Sequence, residues 1–217
     1  MRTAVRSVVV ASCVLALSGV ARAEQGKPAQ PAAMEAGKQA AMDPAQVAAM
    51  EAMQKAGSPT ENHKALEPLA GTWTYTAQWW MAPEAAPETM TGTAVNTVIF
   101  GGRFLKQEIA GQPAAEGQPP FEGIGFTGYD NIRKEYQSVW FDNMMTGMMT
   151  GTGEFDAATK TLTDQGDFSC PLTGESHRWY RTTWTVTDPN HTAYASYSRT
   201  PEGREFKSME MLYTRAQ

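Results

Sequence analysis

FEGIGFTGYDNIRKEYQSVWFDNMMTGMMTGTGEF, residues Phe121 to Phe155, is the stretch that decides the fold. Glu122–Tyr129 is a strand-length run of small and aromatic residues ending in the turn pair Asp130-Asn131. Glu135–Asp142 is a second run, closed by Asn143. Gly147–Phe155 is a third, rich in Thr and Gly. Runs of this length punctuated by Asp, Asn and Gly read as three antiparallel strands in sequence order.

Working outward, the same two-residue period predicts strands at Thr72–Met81, Thr91–Phe100, Arg103–Ala110, Thr161–Asp167, His177–Thr187, His191–Ser198 and Arg204–Thr214. Gly101-Gly102 reads as a two-residue hairpin turn, because glycine accepts the positive φ that such turns require. Asp188-Pro189-Asn190 and Pro201-Glu202-Gly203 are further tight turns. About ten strands in meander order predict an all-β fold, a single antiparallel barrel, since closure removes exposed edges.

Upstream, Asp43-Pro44 fits an N-cap followed by proline at the first helical position, predicting a helix over Pro44–Lys55. A short helical turn from Thr60, with Leu66 and Leu69 on one side, ends at Gly71. Residues 24–56 form an Ala/Met-rich arm, part tether and part helix, and 57–217 the barrel domain. Residues 1–23 read as a signal peptide: Arg2 and Arg6, an apolar run over Val8–Leu17, and the cleavage site Ala21-Arg22-Ala23. The run is shorter than the roughly 20 residues of a membrane span. Val10-Ala11-Ser12-Cys13 offers lipoprotein processing at Cys13 as the alternative, but apolar residues continue beyond that cysteine. The reading is therefore an exported protein, periplasmic or extracellular, with no transmembrane segment in the mature chain.

Cleavage removes Arg2, Arg6 and Arg22, leaving 15 basic against 23 acidic residues, a net charge of −8. That balance argues against nucleic acid as a partner. It also leaves Cys170 alone of the two cysteines, so no internal disulfide forms and a buried structural thiol is expected.

His63-Lys64-x-Leu66-x-x-Leu69-x-Gly71-x-Trp73, then Gly101-Gly102-Arg103-Phe104, Phe121-x-Gly123-x-Gly125 leading into Gly128-Tyr129-Asp130, and Trp140-x-Asp142 resemble an exported bacterial family designated domain of unknown function 1579. The resemblance runs over roughly residues 57 to 215. It implies a calycin-like barrel similar in outline to lipocalins, fatty-acid-binding proteins and nitrobindins, and implies no activity.

The chemistry is sparse. The three histidines, His63, His177 and His191, have no metal-ligand spacing. Met144-Met145-x-x-Met148-Met149 offers soft sulfur to copper, but alternation splits the four between faces, and flexible filling of the interior is the favoured reading. Haem is disfavoured: the nitrobindin-like opening Leu66–Trp73 continues as Thr74-Tyr75-Thr76-Ala77 where those proteins are glycine-rich. Gly123-x-Gly125-x-x-Gly128 precedes a turn and a strand and lacks the helix a dinucleotide site needs. No cofactor and no metal is therefore assigned, and no catalytic residue. The favoured function is non-enzymatic binding of a small apolar or amphipathic ligand in the barrel. Trp73, Tyr75, Trp79, Arg103, Tyr136, Trp140, Asp142 and Trp179 are the candidate lining. One alternative is an enzyme with an acid/base set at the barrel mouth, using Asp130 or Asp142 with Arg103 and a histidine such as His63. The other is a structural envelope protein whose N-terminal arm holds a partner. Neither the ligand nor the oligomeric state is legible.

Overall fold

The computed structural model describes residues 43–113 and 117–217. The predicted leader, its cleavage site and Cys13 lie outside the described residues.

Helix α1 (Pro44–Gly57) starts where the capping chemistry predicts, the Asp43 carboxylate accepting from the Ala45 amide at 3.0 Å. It buries no side chain. Its C-terminal end is tied down by Asn131, which donates to the carbonyls of Ala56 and Ser58 at 2.9 and 2.8 Å. A helical turn α2 (Glu61–Lys64) and a 3-10 turn (Glu67–Leu69) lead into the strands.

The ten strands are β1 (Gly71–Trp79), β2 (Glu88–Ile99), β3 (Phe104–Gly111), β4 (Glu122–Asp130), β5 (Glu135–Asp142), β6 (Met149–Asp156), β7 (Thr161–Phe168), β8 (Arg178–Asp188), β9 (His191–Arg199) and β10 (Glu205–Arg215). Each pairs antiparallel with its sequence neighbours, and β10 closes on β1, giving the expected meander barrel. The hairpin between β2 and β3 corrects one detail. Its loop is the four residues Phe100–Arg103, with φ of 50° at Phe100 as well as 65° and 93° at the two glycines. The amides of Gly102 and Arg103 both donate to the Ile99 carbonyl at 3.2 Å, closing a helix-like curl over the four residues.

Paired residues share a face, so register fixes which side chains enter the barrel. From Trp73 the inward line runs through Ala94, Ile109 and Gly123 to Asp142. From Tyr75 it runs through Tyr213 and Thr192 to Val186. One end is plugged: Leu66 and Leu69 from the segment before β1 pack on Leu105, Tyr136, Leu162 and Trp184. Leu69's carbonyl accepts from Trp73 Nε1 at 3.0 Å and from Asn96 Nδ2 at 2.8 Å, so the plug is hydrogen-bonded to the wall. Cys170, at the other end, is buried and unpaired.

Arg215 straps this capped end. Its guanidinium donates to the carbonyls of Ala70, Pro68 and Pro189 at 2.8, 3.2 and 2.9 Å and stacks 4.1 Å from the Trp73 ring. Arg215→Ala is expected to cost about 2 kcal/mol, the worth of several charge-assisted bonds and a cation–π contact. Arg215→Lys should recover little, because an ammonium cannot reproduce the fork. A urea midpoint that barely moves in both variants would refute the strap.

Candidate functional site

Halfway down the barrel the interior turns polar. Asp164 on β7 faces inward with Leu162, and its carboxylate accepts from Ser138 Oγ at 2.5 Å and from Thr182 Oγ1. The Tyr180 hydroxyl lies beside Ser138, and that of Tyr194 beside Thr182. Space for Tyr180 is made by Gly151, where a Cβ would come within 2.6 Å of the tyrosine hydroxyl. Tyr213 continues the belt, its ring 5.7 Å from Tyr75 and 6.2 Å from Trp184. On the opposite wall Asn96 and Gln107 face each other across β2 and β3. Asn96 Oδ1 and Gln107 Nε2 are buried without a hydrogen-bond partner among the described residues.

Burial governs the proton affinities here. Desolvation raises the Asp164 carboxyl above its ordinary range, with the Ser138 and Thr182 hydroxyls offsetting part of it. It likewise raises the hydroxyls of Tyr180, Tyr194 and Tyr213. Tyr136, nearer the plug and donating to the Asn62 carbonyl at 2.7 Å, is pushed up to about 12, chiefly by burial.

Beyond the belt lies the end with the longer connections. Leu105, Tyr136, Leu162 and Trp184 under the plug are buried, whereas Trp79, Trp140, Asp142, Met149 and Met209 at this end are partly exposed. Trp140 lies across Gly123 and Gly125, where a Cβ would meet its ring at 2.2 and 2.9 Å. Its Nε1 donates to Asp142 Oδ2 at 2.9 Å, and Phe121 stacks on it at 6.5 Å. These contacts make a flat aromatic shelf just inside the mouth.

The predicted lining residues thus separate. Trp79, Trp140 and Asp142 face the interior toward the mouth. Trp73, Tyr75 and Tyr136 also face inward, but within the packed cores. Trp179 is a correction: it pairs with Asp167 on the outer face, under the Arg199 guanidinium at 3.8 Å. Arg103 is another, an exposed residue of the β2–β3 loop at the plugged end, donating to the Phe100 carbonyl at 2.7 Å. Met144 and Met148 are 74% and 65% exposed, so they do not fill the interior as expected; they stand on the mouth loop. The residues missed from the sequence are Asp164, Ser138, Thr182, Asn96 and Gln107. The available signal was Asp164 lying two residues from Leu162, hence on an apolar face.

The acid/base set does not assemble around Asp142. His63, Arg103 and Asp130 lie at the plugged end, where Asp130 accepts from the turn amides of Ile132 and Arg133. His63 is buried and Thr60 donates its amide to Nδ1 at 3.0 Å, a cap rather than a base awaiting substrate. His177 and His191 pair with Asp167 and Asp188 on opposite ends. Among the described residues no three His, Cys, Asp or Glu side chains converge as metal ligands. No helix among them is long and apolar enough to cross a membrane. Two open concavities of about 380 and 500 Å³ mark the outer wall, over β10-β1-β2 and β2–β5. The first is lined mainly by threonines and the second by Val95, Ile124 and Phe141 with Glu108 and Glu122.

A family profile described as a protein of unknown function, DUF1579, matches residues 58–215. Among solved structures the fold is similar to that of Rv2717c from M. tuberculosis, at 16% identity and a TM-score of 0.52, over 74% of this chain and all of the other. A redesigned β-barrel, b11L5F_LGL, aligns at 16% identity and TM-score 0.36 over 70% of this chain and 96% of its own. A de novo designed fluorescence-activating β-barrel aligns at 15% identity and a TM-score of 0.36 over 70% of this chain and 97% of its own. No curated protein matches the sequence significantly.

Proposed function

This chain belongs to the DUF1579 family, and we propose from that premise that it binds a small amphipathic molecule non-enzymatically inside its barrel. The ligand enters at the long-loop end, lays its apolar part on the Trp140–Phe121 shelf, and turns its polar part to the belt around Asp164. The observation that carries this is the belt itself. Unpaired polar groups cost about 1–3 kcal/mol each in an interior that aliphatic side chains could fill. Asn96 Oδ1, Gln107 Nε2 and a carboxyl without a counter-charge are retained there. We also propose export with cleavage after Ala23, on the leader sequence alone.

Native mass spectrometry of the protein expressed with its own leader tests both. A chain beginning at Glu24 is expected, carrying a small-molecule adduct or giving saturable tryptophan quenching with 1-octanol that Trp140→Ala weakens about tenfold, near 1.4 kcal/mol. A bare mass, together with no saturable quenching by 1-octanol, octylamine or octanoate, overturns the binding function. A lipid-modified Cys13 or a retained leader overturns the cleavage assignment.

A further inference from the structure

We propose that the interior site selects a ligand with a protonated amine, its ammonium group seated on Asp164; this rests on the binding function above and assigns its chemical class. The carboxylate faces the interior and receives two hydroxyl hydrogen bonds, yet forms no ion pair among the described residues. Arg178, a cation on the same inner face of β8, is committed elsewhere. It donates to Ser198 Oγ at 3.1 Å, to Glu175 at 2.8 Å and to the Arg199 carbonyl at 3.1 Å. The groups facing Asp164 are Ser138 on β5, Thr182 and Tyr180 on β8, and Tyr194 on β9. None of them carries positive charge.

The uncompensated carboxylate singles out a cation, because the tyrosines around it bring only neutral hydroxyls. Across the barrel, Asn96 is 4% exposed and points an unpaired acceptor inward. An anionic head would meet Asp164 with like charge, and a purely apolar ligand would leave the carboxylate without a counter-charge and Asn96 Oδ1 without a donor. A second polar group on the ligand, an amide or hydroxyl, would satisfy Asn96 Oδ1 and Gln107 Nε2 together.

The proton affinity of the site gives the pH dependence. In the protein alone the Asp164 carboxyl sits above its usual 3.8 because of burial. Ammonium binding needs the ionised form, so affinity is full above that raised value and falls as pH drops through it. An alkylamine, with a pKa near that of lysine at about 10, stays protonated throughout.

Calorimetric titration with octylamine, 1-octanol and octanoate reads the head group at constant chain length. Octylamine is expected to bind about tenfold more tightly than 1-octanol at pH 8, a preference lost on acidification and in Asp164→Asn. Asparagine keeps an acceptor and a donor for Ser138 and Thr182. Should that variant fail to fold, the wild-type pH series decides alone. Equal or inverted head-group preference at pH 8, or a preference that survives acidification, overturns the amine assignment and leaves the binding function standing. If none of the three binds, both fall.

Discussion

Trp73→Ala should be the most destabilising truncation of a single side chain in the barrel, at about 3–5 kcal/mol. Trp73 is 1% exposed and packs on Tyr75, Ala94, Ile109 and Tyr213 from β1, β2, β3 and β10. It also holds the plug through the Leu69 carbonyl and carries the Arg215 stack, so truncation opens a cavity and loosens two attachments at once. The Leu69 carbonyl keeps its bond from Asn96, which spares the further cost of an orphaned acceptor. Against a typical stability of about 5–15 kcal/mol, that loss is between about a fifth and all of it. Urea unfolding checks it: a midpoint shift worth under about 1 kcal/mol would mean that the plug, rather than Trp73, organises this end.

Gly153→Ala should cost about as much by the opposite route. A Cβ at Gly153 would lie 2.0 Å from the Thr163 carbonyl oxygen and 2.7 Å from the Asp164 Cα. Both are backbone, so no rotamer relieves the clash and β6 must part from β7. Overpacking costs typically about 1–3 kcal/mol and more where the backbone itself is struck. At least about 3 kcal/mol, or insoluble protein, is expected, with Gly57→Ala as the control. Nothing lies within 4 Å of that position, and the change should stay within about 0.5 kcal/mol. Equal stability of the two variants would show that β6 and β7 approach less closely than the structure has them.

The barrel was legible because its strands are short and their turns chemically explicit. Glu135–Asp142 begins and ends where Asp130-Asn131 and Asn143 say it must, and Asp43 marks the helix start. The interior was harder, and for a physical reason. A strand buried on one face announces its phase only if the other face is plainly polar. Arg178–Asp188 carries aromatic residues on both, Trp179 outside against Arg199 and Tyr180 inside against Ser138, so alternation alone could not say which enters. Asp164 hid for the converse reason, since Thr161–Phe168 reads as a solvated strand until pairing places Asp164 beside Gly153 and Thr182. Asn96 and Gln107 are ordinary polar residues in sequence. Only their register across β2 and β3 sets them facing each other in the dark of the barrel.

The β1–β10 seam has a kinetic meaning. Nine of the ten strand pairings join neighbours in sequence, while Trp73 meets Arg215 only across nearly the whole domain. Closing so long a loop costs chain entropy before any contact returns it, so the seam should zip last. Contacts made after the folding barrier govern how fast a native chain opens rather than how fast it forms. The Arg215 strap would then act as a latch on lifetime. Under the export proposed above, the protein would work beyond the reach of cytosolic chaperones and survive by the slowness of its own unfolding.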